Sequence, residues 1–193
     1  MVSRRSKPVA SSFYQLRVTL KYLKPAIWRG LLVPDTATLA QLHRCLQITM
    51  GWSDSHMHAF QVAKARYGMP DREWEDVNPT LNEKQFTLVA VLGRTVKKFA
   101  YLYDFGDGWE HEVRVEKLLP AIDQPPYPRC TAGANACPPD DLGGVPRYCD
   151  FVAAVLNPKH PEHEELLQWC GGRFDPFAFD INQVNAQLKR IKI

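Results

Sequence analysis

Alternating apolar and polar residues near the start of the chain predict a β-strand. The segment FYQLRVTLKYL places on one face Tyr14, Leu16, Val18 and Leu20. A period of two is typical of a strand with one buried side. The next segment, KPAIWRGLLVP, turns at Pro25 and then runs extended. The two segments therefore predict a β-hairpin that opens a sheet.

The pattern then changes to the helical period in TLAQLHRCLQITMGW. Its apolar residues recur at intervals of three and four, at Leu39, Leu42, Leu46 and Met50. Thr38 followed by Gln41 matches a capping box, and Gly51 is placed to end the helix. One helix packed between strands is predicted here.

A second strand is predicted in SDSHMHAFQVAKARYG. The residues that share one parity are His56, His58, Phe60 and Val62, and this alternation favours a strand over a helix. A helix is the alternative interpretation. In the strand interpretation, two imidazoles lie side by side on the apolar face.

The clearest hairpin covers about 97–118, with its turn at Gly106-Asp107-Gly108. Its second arm, WEHEVRVE, alternates so that Trp109, His111 and Val113 face inward and the glutamates face outward. His111 therefore needs a hydrogen-bond partner or a metal ion, because a lone buried polar group costs about 1–3 kcal/mol.

The C-terminal half begins with a Pro-rich segment, 120–147, whose prolines predict a long ordered loop without regular strand pairing. Helices are predicted over about 149–156, 161–170 and 180–191, a helical tail that covers 149–191. The fold class that follows is α+β: a mostly antiparallel or mixed β-sheet, one packed helix between strands and a helical C-terminal region. Residues 1–12 are expected to be a flexible basic arm and residues 13–193 a single domain.

Composition narrows the choice of compartment and partner. No apolar run approaches the roughly 20 residues of a membrane-spanning helix, so no membrane partner is expected. The N-terminus lacks a secretory signal, and five widely spread cysteines are typical of free thiols, which together favour a cytoplasmic protein. The net charge of +3 is concentrated near both ends, at Arg4, Arg5, Lys7, Lys189, Arg190 and Lys192. These termini predict at most a weak association with nucleic acid.

The candidate chemistry gathers around the two inward-facing histidine segments. The predicted pocket consists of His56, His58, Asp104, Asp107, Trp109, His111 and Asp141. Within it, His56, His58 and His111 are candidate ligands of a divalent metal such as zinc. A core histidine satisfied by a carbonyl or carboxylate is the alternative for His111. Cys130, Cys137 and Cys149 fit a metal site less well, because they lack the short Cys-x-x-Cys spacing.

Several motifs, taken in order, carry a family resemblance. They are LKPAIWRGLLVP, TLAQLHRCLQITMGW, HMHAF, YDFGDGWEHEV and CPPDDLGG. From about Phe13 to about Leu188 the chain resembles the plasmid pRiA4b ORF-3-like family, whose members are sometimes labelled TnpR-type passenger proteins of mobile elements. The resemblance implies an α+β fold with a mixed or antiparallel sheet and leaves the molecular activity open.

Three functions are compatible with these observations. The first is a non-catalytic binding or accessory protein from a mobile-element setting, whose partner is an unknown protein or small ligand. The second is a metal-dependent hydrolase of a phosphoester, in which a metal-bound water is the nucleophile. The third is a DNA-associated protein, resolvase-like or regulatory. The glycine-rich and Gly-x-Ser-x-Gly motifs of nucleotide-binding proteins and serine hydrolases are absent from the sequence.

Overall fold

A computed structural model describes residues 10–70 and 79–193. In these ranges eight strands form one sheet in the order β5-β4-β3-β6-β7-β1-β2-β8. Every neighbouring pair is antiparallel except β4 and β5, which are parallel. The strands are β1 Ser12–Leu20, β2 Trp28–Pro34, β3 His58–Val62, β4 Ala65–Gly68, β5 Thr80–Asn82, β6 Lys98–Tyr103, β7 Trp109–Pro120 and β8 Arg129–Ala134. The predicted α+β class with a mixed, mostly antiparallel sheet is confirmed.

Five α-helices accompany the sheet in the described ranges. They are α1 Leu39–Met50, α2 Leu88–Leu92, α3 Gly144–Leu156, α4 His163–Trp169 and α5 Ile181–Leu188. Short 3-10 turns occupy Glu83–Gln85 and Ala121–Asp123. The helical C-terminal region is confirmed, although α3 begins at Gly144, earlier than the expected 149. None of the helices in the described ranges has both the length and the apolarity to cross a bilayer.

The first hairpin and its helix form as the sequence pattern predicts. β1 pairs with β2 and, on its other side, with β7, and the apolar face of β1 is buried. The side chain of Thr38 and the side chain of Gln41 make the reciprocal bonds of a capping box. Gly51 ends α1 at φ 87°, in the left-handed region that glycine adopts without strain.

The hairpin of β6 and β7 is also confirmed, including its register. Trp109, His111 and Val113 are fully buried, whereas Glu110 is exposed. The turn is closed by a hydrogen bond from the Gly108 amide to the carbonyl of Asp104, at 2.7 Å. Parity along β7 therefore assigned the inward face correctly.

The Pro-rich segment contains a strand that the sequence analysis excluded. β8 pairs antiparallel with β2, so the expectation of no regular pairing in 120–147 is wrong. The reason is the distribution of the prolines, since none lies between Pro128 and Pro138. That proline-free stretch retains all its amide donors and adds an edge strand to the sheet.

The outer edge of β8 is covered by a side chain from α5. The amide of Cys130 donates to Asn185 Oδ1 at 2.8 Å, and Asn185 Nδ2 donates to the Cys130 carbonyl at 2.9 Å. At the other end of the chain, β1 begins at Ser12. Residues 1–9 of the expected basic arm lie outside the described residues.

Candidate functional site

A cleft of about 540 Å³ lies where α1, the link between α1 and β3, and the start of β3 meet. We call it the histidine cleft. Its lining consists of Ala40, His43, Arg44, Asp54, Ser55, His56, Met57, His58, Met69, Glu83 and Lys84. Concave sites lined by several convergent titratable groups are the usual place for ligands and metal ions.

Two histidines form the floor of the histidine cleft. His43 comes from α1 and His58 is the first residue of β3. Their rings are stacked, with centroids 3.4 Å apart and planes within 4° of parallel. Their side chains are only 5% and 7% exposed, so each ring is fixed by its surroundings.

Each stacked ring has one nitrogen held by a buried partner. His43 Nδ1 lies 2.8 Å from the hydroxyl of Tyr101, which also accepts a hydrogen bond from Gln47 Nε2 at 3.0 Å. His58 Nε2 lies 2.8 Å from the Glu83 carboxylate, and Glu83 is 2% exposed. Hydrogen bonds of this kind fix the orientation and the tautomer of a metal-binding histidine.

Asp54 contacts the second nitrogen of His43. Its Oδ1 lies 2.7 Å from His43 Nε2, and its side chain is about half exposed. The backbone of Asp54 adopts φ 60°, and its amide donates to Gln47 Oε1 at 3.0 Å. Ligand atoms from His43, Asp54 and His58 lie within 4.8 Å of one another.

Burial affects the protonation of His43 and Tyr101. Desolvation lowers the pKa of His43, and the neighbouring His58 lowers it further. Burial also raises the pKa of Tyr101 well above its usual value, so the hydroxyl stays protonated. A neutral imidazole keeps a lone pair available, which is the form that binds a metal ion.

His56 belongs to a neighbouring contact set, although it also lines the histidine cleft. Its Nε2 lies 3.0 Å from Asp141 Oδ1, and its Nδ1 lies 3.7 Å from Asp104 Oδ2. The expectation that His56 and His58 share one strand face is wrong, because β3 begins at His58. His56 itself lies in a bend before the strand, so strand parity does not extend back to it.

His111 lies in the closed interior. Its Nδ1 donates to the carbonyl of Tyr101 at 3.2 Å, and its ring meets the ring of Trp52 edge-on at 5.4 Å. Burial lowers the pKa of His111 to about 4. Neither His111 Nε2 nor Trp109 Nε1 has a hydrogen-bond partner among the described residues.

The three histidines predicted to share a metal ion thus have different surroundings. Two groups of three potential ligands occur in the described part of the chain; His56 and His58 belong to different groups, and His111 belongs to neither. Strand β6 lies between β3 and β7. The ring of Tyr101 fills the space between them, with centroids 6.0 Å from His58 and 5.3 Å from His111.

The remaining predicted pocket residues hold the hairpin turn and the loop together. Asp104 Oδ1 accepts hydrogen bonds from the amides of Gly106 and Asp107, at 2.9 and 3.3 Å. Asp107 Oδ2 accepts one from the Gly143 amide at 2.9 Å. Trp109 is fully buried and lies beside Trp52, with ring centroids 6.3 Å apart.

The cysteines named as weaker metal candidates lie apart from both ligand groups. Burial raises the pKa of Cys130, and raises that of Cys137 to about 12, so these thiols stay protonated. Cys137 Sγ contacts Met50 Sδ at 3.5 Å, and Cys149 is exposed and free. The basic residues Lys189, Arg190 and Lys192 are exposed.

The sequence analysis did not select three residues of the histidine cleft, namely His43, Asp54 and Glu83. A signal existed for His43, which lies four residues after Leu39 and therefore on the apolar face of α1. Gln47 follows four residues later on the same face. Glu83 carries no comparable pattern, because it lies in a 3-10 turn far from the histidine motifs.

Comparison with known proteins supports the resemblance in the sequence motifs. The chain is 39% identical over 178 residues to the uncharacterized protein y4hQ of Sinorhizobium fredii (strain NBRC 101917 / NGR234), covering 92% of this chain and 91% of that protein. It is similar to the crystal structure of MM3350, a protein of unknown function from Methanosarcina mazei Go1, with a TM-score of 0.81 and 35% identity over 90% of this chain and 97% of the other. The family model of the plasmid pRiA4b ORF-3-like protein matches residues 12–183. The chain therefore belongs to the plasmid pRiA4b ORF-3-like family.

Proposed function

We propose that the protein binds a divalent metal ion in the histidine cleft and functions as a metal-binding protein. The ligands are His43, Asp54 and His58. One observation carries the proposal: ligand atoms of these three residues lie within 4.8 Å of one another, and each stacked imidazole has one nitrogen held by a buried partner. Tyr101 occupies His43 Nδ1, and Glu83 occupies His58 Nε2.

The second nitrogens of the two rings complete this arrangement. No hydrogen bond joins His58 Nδ1 to another residue in the described part of the chain. His43 Nε2 contacts Asp54, whose half-exposed carboxylate can share a metal ion with it. Histidine ligands whose second nitrogen is held by a carboxylate or another polar group are usual in metal sites.

Zinc is the ion that this ligand set fits best. Two imidazoles and one carboxylate are typical zinc donors, and three protein ligands leave a fourth position for water or a ligand. No cysteine belongs to this ligand group in the described part of the chain, which leaves the imidazoles and the carboxylate as the donors.

Zinc titration of protein purified without a histidine tag tests the proposal. We expect His58→Ala to bind one equivalent less than the wild type. His163→Ala is the matched control, because that histidine lies in α4 and contacts the carbonyl of Ala154. Equal zinc content in His58→Ala and the wild type would rule out the cleft as the site.

A second candidate function is hydrolysis of a phosphoester by the metal-bound protein. The observation in its favour is the pair of exposed cations Arg44 and Lys84 in the lining of the same cleft. Cations beside a metal ion are suited to an anionic substrate. Zinc-loaded protein should then hydrolyse bis(p-nitrophenyl) phosphate, and His58→Ala should not. Equal rates for the two proteins would dismiss this candidate.

Two further proposals, a role in mobile elements and binding to a partner protein, rest on the family resemblance alone. Association with DNA through the basic termini is a further proposal of this kind. It predicts a steep loss of binding as salt rises, since phosphate contacts release counterions. Duplex binding measured at two salt concentrations tests it.

A further inference from the structure

A second cluster of potential ligands lies beside the histidine cleft and shares none of its ligands. It consists of His56, Asp104 and Asp141, whose ligand atoms lie within 4.8 Å of one another. The three residues come from three separate segments: the link between α1 and β3, the turn after β6, and the loop before α3.

The contacts in this cluster are close, but they lack the geometry of hydrogen bonds. His56 Nε2 lies 3.0 Å from Asp141 Oδ1. Even so, this buried nitrogen has no hydrogen-bond partner among the residues that the structure describes. Neighbouring ligand atoms around an ion with bonds of about 2.1 Å lie about 3 Å apart when they are at right angles. The spacing is therefore that of two ligands of one ion.

Asp104 is held in place for the same role. Its side chain is 10% exposed, and its Oδ1 is occupied by the amides of Gly106 and Asp107. Oδ2 makes no hydrogen bond within the described ranges and lies 3.7 Å from His56 Nδ1. A nine-tenths buried carboxylate thus has one oxygen without a hydrogen bond beside the His56 ring.

The loop that carries Asp141 is fixed against the hairpin turn. The Gly143 amide donates to Asp107 Oδ2 at 2.9 Å. A Cβ at Gly144 would lie 2.7 Å from the carbonyl oxygen of Asp107, so only glycine permits this approach. Asp140 is already used, since its Oδ2 accepts hydrogen bonds from Ser53. Asp141, 71% exposed on its side chain, is the carboxylate left for a ligand.

We propose that His56, Asp104 and Asp141 bind a second divalent cation. One imidazole and two carboxylates suit ions that accept mixed nitrogen and oxygen ligands, such as Mn²⁺. The ion links the α1–β3 connection, the hairpin turn and the Pro-rich loop. This site does not depend on the proposed metal ion in the histidine cleft.

Mn²⁺ binding to tag-free protein, measured by electron paramagnetic resonance, tests the second site. The variant is Asp141→Asn, because asparagine tolerates the φ of 59° at this position and the exposed side chain contributes little to the stability of the fold. We expect the dissociation constant of one equivalent to rise at least about tenfold. Asp150→Asn, an exposed carboxylate in α3, is the matched control and should bind as the wild type does.

His58→Ala and the double variant separate this proposal from the proposed function. If both sites exist, Asp141→Asn and His58→Ala each lose a different equivalent, and the double variant loses both. Loss of Mn²⁺ in Asp141→Asn alone supports the second site, and the zinc titration of His58→Ala then decides the cleft site separately. An unchanged Mn²⁺ isotherm in Asp141→Asn overturns the second site, whatever His58→Ala does.

Discussion

His58 and His111 point to the same face of one sheet, yet their surroundings differ in a way that decides what each can do. His58 opens onto the histidine cleft, and Glu83 holds one of its nitrogens. His111 is fully buried, and the carbonyl of Tyr101 holds one of its nitrogens. Access of the second nitrogen to the cleft is thus the main difference between His58, a candidate ligand, and His111, a core residue.

Tyr101 joins the two environments. Its hydroxyl contacts His43 in the histidine cleft, and its carbonyl contacts His111 in the interior. One strand residue therefore supports both histidine sites. Changes on the cleft side should alter metal binding, whereas changes on the interior side should alter stability.

The largest expected effect is on the interior side. His111→Ala should lower the free energy of unfolding by about 3–5 kcal/mol, because it leaves a cavity in the closed interior and removes the Nδ1 hydrogen bond to the Tyr101 carbonyl. His56→Ala, at a side chain 26% exposed, should cost less than about 1 kcal/mol in metal-free protein. Guanidinium denaturation measures both. Similar midpoints for the two variants would contradict the closed environment of His111.

The pH dependence of stability should also reflect the burial of His111. Burial lowers the pKa of His111 to about 4, against about 6.5 in an unfolded chain. Between these values the unfolded chain binds a proton that the folded protein does not. Stability is therefore greatest above about pH 6.5 and falls toward pH 4, by up to about 3 kcal/mol from this residue.

His111→Gln should remove that contribution. Denaturant unfolding at several pH values between 7 and 4 should give a shallower slope for His111→Gln than for the wild type. Parallel curves would show that His111 titrates normally in the folded protein.

Stabilisation by zinc should depend on the cleft and not on the interior. In an Asp141→Asn background, zinc at 100 times its dissociation constant should stabilise the protein by about 2.7 kcal/mol. His58→Ala should lose this increment. His111→Gln should keep it, although the variant is less stable without metal. Thermal or chemical denaturation with and without zinc measures the increment. Its loss in His111→Gln would contradict the claim that zinc binding is independent of His111.

The smallest expected effect concerns Glu83, which supports His58 without being a proposed ligand. Glu83→Gln keeps a hydrogen-bond acceptor for His58 Nε2 but removes the charge. Zinc affinity should fall about 10–100-fold, or about 1.4–2.7 kcal/mol. Glu112→Gln, on the outer face of β7, is the control. Unchanged affinity in Glu83→Gln would show that the carboxylate does not tune the site.

Periodicity along the sequence predicted much of the fold, because strands and amphipathic helices repeat their burial at a fixed interval. The inward face of β7 and the capping box of α1 are examples. β8 was missed because the prolines around it dominated the composition of the segment. The absence of proline between Pro128 and Pro138 was the signal that a strand could form there.

The site was harder to predict, since its members meet only through the tertiary fold. His58 was selected by parity, but its stacking partner His43 comes from a helix and its support Glu83 from a 3-10 turn. Parity also failed at His56, because this residue lies in a bend before β3 begins. A period describes one element, and it carries no information on which elements become neighbours.

The amide of Asn185 has a consequence for association between molecules. By bonding both the amide and the carbonyl of Cys130, it imitates one residue of an additional strand at the margin of the sheet. Uncovered margins recruit strands from other chains and lead to aggregation. Helix α5 therefore covers the edge strand at Cys130 and opposes the pairing of β8 with a strand of another molecule. Truncation before Asp180 should expose the outer edge of β8. Self-association of the truncated protein should then be detectable by light scattering.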